Sequence, residues 1–141
     1  MQFALRAVRF SFNLPDKWQV RRIAGQLIDS STSMAMNYRA AGRGRSHREF
    51  TSKLGLVAEE ADESLGWLEF IAQLELARGP EITWLLGEAS ELIAIFGSSY
   101  ATAKEKDRKS RDRRSGDKRS KDANRRSPDR TSSDSSSGDL P

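Results

Sequence analysis

Apolar side chains recur every three or four residues in four separate runs of this chain, which is the spacing of one buried face of an α-helix. Phe3, Ala7, Phe10 and Leu14 make the first and shortest run, which Pro15 stops. Asp16 stands where it would cap the next helix. From Lys17 to about Gly42, Val20, Ile23, Leu27, Met34, Tyr38 and Ala41 keep the rhythm, interrupted by the small residues of SSTSMA. Small side chains let a neighbouring helix approach, so Ser30 to Ala35 is expected to mark a close helix crossing. The third run, Phe50, Leu54, Val57, Ala61, Leu65, Leu68 and Ala72, draws one continuous stripe that Gly79 and Pro80 end. Ile82, Leu85, Ala89, Leu92, Phe96 and Tyr100 form the fourth. No stretch alternates with period two and no hairpin turn signal appears. The expected fold is all-α, an up-and-down four-helix bundle, with breaks near Pro15, Gly42 to Arg45 and Gly79 to Pro80.

The break between the two longest runs reads NYRAAGRGRSHREF, Asn37 to Phe50. Ser46 followed by Glu49 and then Phe50 is a capping box at a helix start, and Gly42 and Gly44 are expected to take the positive φ angles that close the helix before it. Neither a strand before the glycines nor a Lys-Ser/Thr after them supports a phosphate loop. Arg39 and Arg43 lie four apart where cations complement the end of a helix, and Arg45 and Arg48 flank the cap. Three readings of these arginines stay open: a solvated corner, pairing with acids of another subunit, and contact with phosphates.

Composition changes the picture at one boundary. Every Trp, Phe and Tyr of the 141 residues lies at or before Tyr100. Ordering a residue costs about 1–2 kcal/mol of backbone entropy, and a segment with almost no apolar surface has little to set against it. Residues 105–141 are therefore expected to be a disordered, charged Ser/Arg/Asp-rich tail behind a single domain of residues 1–104. Charge divides at nearly the same place: 13 of the 24 basic and 8 of the 20 acidic residues fall in Ala101 to Pro141, net +5, against 11 and 12, net −1, before it. The pI near 9.7 thus describes the tail. That tail reads either as a solubilising polyampholyte or as a sequence-tolerant nucleic-acid contact.

Candidate chemistry is sparse. The absence of cysteine excludes disulfides, thiolate zinc sites and cysteine nucleophiles. Glu59 and Glu63 in EEADE stand four apart, but the one histidine of the chain is His47, so no Glu-x-x-His metal motif exists. No catalytic residue, metal or cofactor is expected, and the acids read as a solvated or intersubunit face. No window reaches the roughly 20 apolar residues of a membrane span, and the arginine-interrupted start makes a poor signal peptide, so a cytoplasmic protein is expected.

The stretch GQLIDSSTSMAMNYRAAGRGRSHREFTSKLGLVAEEADESLGWLEF resembles the signature region of the four-helix bundle proteins of the 23S rRNA intervening-sequence family. The resemblance rests on Asn37-Tyr38-Arg39, the arginines Arg43 and Arg45 with Ser46, Glu49-Phe50, Lys53-Leu54-Gly55, Glu60 to Ser64, and Trp67 to Glu69. It extends over about residues 3–104; Gly42 and Gly44 depart from it, since bulkier residues are common there, and the tail lies outside it. The resemblance implies homopentameric rings and no enzymatic activity. The similar accessory variability proteins of diversity-generating retroelements bind nucleic acid and partner with a reverse transcriptase.

Two function classes follow. One is a homo-oligomer, pentameric by resemblance, that binds RNA or DNA electrostatically through Arg39, Arg43, Arg45, Arg48 and Lys53, with the tail reinforcing. The other is an interaction scaffold whose corner serves self-assembly, with Arg39 or Arg43 pairing with Glu60 or Glu63 of another subunit. Trp18, Trp67 and Trp84, on or near the stripes, offer apolar surface for assembly.

Overall fold

The first 12 residues show how the apolar rhythm becomes structure: in α1 (Gln2–Phe12), Phe3, Ala7 and Phe10 turn to one side and are buried. The computed structural model describes residues 1–125 as two units, Met1–Asp107 and one beginning at Arg108. In the first, α1 is followed by α2 (Trp18–Ala41), α3 (His47–Gln73) and the opening part of α4 (Pro80–Arg125). The contacts set the directions. Ser30 meets Ser64 and Asn37 meets Lys53, so α2 and α3 are antiparallel. Gly55 lies against the Tyr100 ring and His47 against Ala103, so α4 reverses α3 in turn. The result is an all-α four-helix bundle whose enclosed centre includes Leu27, Val57, Leu68, Ile71 and Leu85.

The small residues at the middle of α2 do face another helix. Ser30, Ser31 and Ala35 are buried, the Ser30 and Ser64 hydroxyls are hydrogen-bonded at 2.9 Å, and Ser64 Oγ lies 2.8 Å from the Glu60 carbonyl oxygen. One turn on, Ser33 donates to Glu60 Oε1 at 2.8 Å. No buried side-chain polar atom among the described residues lacks a partner, as a tight crossing with hydroxyls inside it requires.

Several local expectations are corrected. Asp16 does not cap α2: Lys17 is the capping residue, extended and without a side-chain bond, and Asp16 instead accepts from Arg21 at 2.8 Å. Gly42 has φ −64°, and Gly79 is the glycine with positive φ among the described residues, at 107°. α3 ends at Gln73, ahead of Gly79 and Pro80. There Glu75 (φ 54°) takes the left-handed position usually given to glycine, with Glu75 N–H donating to the Ala72 carbonyl and Leu76 N–H to that of Ile71. Those two bonds close a Schellman motif, and Leu76 packs on the core as that motif favours.

The point at which the expected tail begins is corrected as well. α4 continues as helix to Arg125, so residues 105–125 are not the structureless segment that composition suggests; the remainder of that tail lies outside the described residues. Lack of apolar surface limits packing, whereas helix hydrogen bonds need only backbone and tolerant side chains. In the second unit Arg108 pairs with Asp112 at 3.6 Å and Lys121 with Asp117 at 2.7 Å, each four residues apart, and no proline occurs before Pro128.

An ion pair ties α1 to α4. Arg6 Nε donates to Glu81 Oε1 at 2.9 Å and Nη2 to Oε2 at 2.6 Å, while the guanidinium carbon stands 3.5 Å from the Trp84 ring centroid. The hydrogen bonds from Arg6 hold the Glu81 carboxyl below the ordinary carboxylate range, against a smaller opposing effect of desolvation. A carboxyl depressed in the folded state contributes stability that is present above its unfolded pKa and lost as pH falls through the folded value. Between neutral pH and about pH 3, the wild-type thermal midpoint should therefore fall further than that of Glu81→Gln. Equal falls in the two proteins, followed by circular dichroism, would show that the pair contributes nothing; since both side chains are partly exposed, added salt should shrink the difference.

Candidate nucleic-acid interface

The corner is built by two helix ends and a short turn. Arg39 lies in the last turn of α2, which closes with Gly42 and Arg43 N–H donating to the Tyr38 and Ala40 carbonyls. Space at Gly44 is tight: a Cβ there would stand 3.2 Å from the Ala41 carbonyl oxygen and 3.3 Å from the Phe50 nitrogen, so the end of α2 and the start of α3 both close on this turn residue. Ser46 Oγ accepts from Glu49 N–H at 3.1 Å, and Glu49 Oε2 accepts from Arg45 N–H at 3.0 Å. The expected capping box is present, with its return bond one residue earlier than the usual pattern. Arg45 and Arg48 stand on either side of this cap.

Arg39, Arg43, Arg45 and Arg48 are all exposed. Among the described residues none of their guanidinium groups makes an ion pair. Lys53 is different: it is half-buried and donates to Asn37 Oδ1 at 3.4 Å. It is therefore a weaker candidate for a free cation than the four arginines. Glu60 is engaged by Ser33, and Glu63 accepts from Trp67 Nε1 at 3.2 Å. Within one protomer the structure does not bring Arg39 or Arg43 together with Glu60 or Glu63, because those acids sit beside the middle of α2 and the arginines at its end.

His47, in the first turn of α3, links the corner to α4. Its Nε2 lies 3.2 Å from the Ala103 carbonyl oxygen and 3.6 Å from Asp107 Oδ1, and its ring stacks on Phe50 with centroids 6.1 Å apart. That histidine thus does structural work at the helix ends. Among the described residues no group of three or more His, Asp or Glu side chains is placed to hold a metal, and no helix is long and apolar enough to cross a membrane.

One feature escaped the sequence pattern. Tyr38 fits the apolar rhythm of α2 and reads as core, yet it is 55% exposed. Its ring lies over Phe96, centroids 5.4 Å apart with planes inclined by 49°, at the mouth of a cleft of about 420 Å³ that Arg39 also lines. The signal in the sequence was its position between Asn37 and Arg39, at the edge of the stripe where polar residues begin.

The fold is similar to that of a solved protein of unknown function from the S23 ribosomal protein family of Bacteroides thetaiotaomicron. The two are 25% identical, superpose with a TM-score of 0.64, and align over 70% of this chain and 92% of that one. No protein-family model and no curated protein matches the chain.

Proposed function

We propose that this is a non-catalytic, self-associating helical-bundle protein of the cytoplasm that binds nucleic acid electrostatically, as an RNA, DNA or ribonucleoprotein accessory factor. The observation that carries the reading is the set of four exposed arginines at one corner, unpaired among the described residues, on a body whose net charge is only −1. Cations without acidic partners in such a cluster favour a polyanion, since each phosphate contact releases a counterion. The resemblance to the 23S rRNA intervening-sequence family supports the same reading and supplies the pentameric ring, which would repeat the corner around an axis and turn weak contacts into avidity. A reverse transcriptase is a candidate partner on that resemblance alone.

A second reading has its own observation. Phe12 and Trp18 are 74% and 62% exposed at the α1–α2 turn, which is apolar surface suited to assembly. In that reading the chain is an interaction scaffold, and Arg39 or Arg43 is neutralised by Glu60 or Glu63 of a neighbouring subunit.

One measurement separates the two. For the full chain, affinity for RNA and for duplex DNA is followed against salt, beside a variant carrying Arg43→Ala and Arg45→Ala. The variant should bind more weakly to every sequence, with a salt slope shallower by roughly 0.7–0.9 for each phosphate no longer neutralised. If the two proteins bind alike, the corner is structural and the scaffold reading prevails.

A further inference from the structure

Arg39 forms part of the wall of a cleft whose other lining is almost wholly apolar. Tyr38 and Ala41 of α2, Phe50 and Leu54 of α3, and Ile95 and Phe96 of α4 surround the opening of about 420 Å³, within the size range of small-ligand pockets, roughly 300–1,000 Å³. No acid lines it. Tyr38 and Ile95, which both line it, stay more than half exposed, so apolar and aromatic surface there is open to a ligand. The Tyr38 ring packs on Phe96, with centroids 5.4 Å apart. An aromatic surface held at the mouth of an apolar cleft, with an unpaired guanidinium on its wall and more at the adjoining helix end, has two complementary halves. The first suits a flat π-face and the second a phosphate.

We infer that this cleft receives one unstacked base of single-stranded nucleic acid, with Tyr38 as the stacking platform and Arg39 and Arg43 on the adjoining phosphates. This rests on the electrostatic reading above and adds the class of strand. A duplex keeps its bases stacked inside and offers the corner only its phosphates, leaving the cleft open to water. A single strand can fill both halves, and every base has a π-face, so such a contact tolerates any sequence.

Stacking and ionic contacts leave different marks, which makes the inference testable on the full-length protein. A labelled uridine-rich RNA single strand and a duplex of the same length are titrated at several salt concentrations, with wild type, Tyr38→Phe, Tyr38→Ala and Arg39→Ala. Tyr38→Ala should weaken single-strand binding by roughly 5- to 150-fold while the salt slope stays unchanged, because no counterion is released by a stacked ring. Tyr38→Phe should retain most of the affinity. Arg39→Ala should reduce the single-strand slope by about 0.7. Duplex binding should be indifferent to Tyr38. As Tyr38 is exposed, Tyr38→Ala should keep the wild-type helical spectrum, and the phenylalanine variant reads the ring where alanine perturbs the fold.

If the single strand and duplex bind alike and both Tyr38 variants are silent while Arg43→Ala with Arg45→Ala still weakens binding, the cleft inference fails and the electrostatic reading stands. If neither nucleic acid binds the wild type, both fail. If Tyr38→Ala lowers the molar mass seen by light scattering, the cleft holds a side chain of a second copy, and the inference is overturned in favour of assembly.

Discussion

Leu68→Ala is expected to cost about 2–5 kcal/mol of folding stability, the range for emptying a large aliphatic site in a packed core. Leu68 is wholly enclosed on the inner stripe of α3, in a core cluster to which all four helices contribute, with Leu27 of α2, Leu85 of α4 and Phe3 of α1 among its members. Four helix backbones hydrogen-bonded within themselves cannot collapse freely into a gap, so much of the cavity persists. For a domain of about 100 residues each kcal/mol moves the thermal midpoint by roughly 4–8 °C, so a fall of about 10 °C or more should be seen by circular dichroism. The comparison is Leu56→Ala on the same helix, 39% exposed, for which a far smaller change is expected. Protein concentration must be held equal, because self-association would stabilise both. A Leu68 variant no less stable than the Leu56 variant would mean that α3 buries a different face.

Ser64→Leu is the second large effect, and it works by the opposite mechanism. Ser64 is fully buried where α2 and α3 cross, with the Ser30 hydroxyl 2.9 Å away. A leucine there has no volume to occupy, so it must push the helices apart or leave its preferred rotamer, at a cost of about 1–3 kcal/mol and more where the backbone resists. It also strips the Ser30 hydroxyl of its partner across the crossing, leaving only the long 3.4 Å approach to the Leu27 carbonyl oxygen. Ser64→Ala separates the two causes: it removes the hydrogen bond but adds no bulk, and should cost only about 1 kcal/mol. Urea unfolding of the three proteins should rank them wild type, Ser64→Ala, Ser64→Leu. If the leucine variant is as stable as wild type, the crossing is not close and the small residues of α2 have another reason.

How legible the site was in the sequence differs residue by residue. The arginines of the corner and the Ser46–Glu49 cap could be read because each depends on neighbours within a few positions along the chain. The roles of Gly42 and Gly44 could not. A glycine between helices fits either a positive φ or a close approach, and at Gly44 the approach of the Ala41 carbonyl and the Phe50 nitrogen decides it, while Gly42 shows neither. Asp16 reads as a cap from its place beside Pro15, but a carboxylate can also reach along the chain, and here Arg21 takes it.

By itself the sequence determined the helices and their inner faces, because a spacing of three and four residues admits only one regular backbone that gathers those side chains on one side. It also determined that apolar packing ends near residue 104, since little beyond it can be buried. It did not determine where helix ends: α4 runs on to Arg125, because backbone hydrogen bonding and burial are separate requirements and the segment fails only the second. Tertiary structure alone decided that Arg6 of α1 meets Glu81 and Trp84 of α4, far apart in sequence. It alone left Tyr38 open beside Arg39 over the Phe96 ring. Periodicity assigns a residue to a stripe, but whether the edge of that stripe is covered depends on the width and tilt of the neighbouring helix, which no local pattern records.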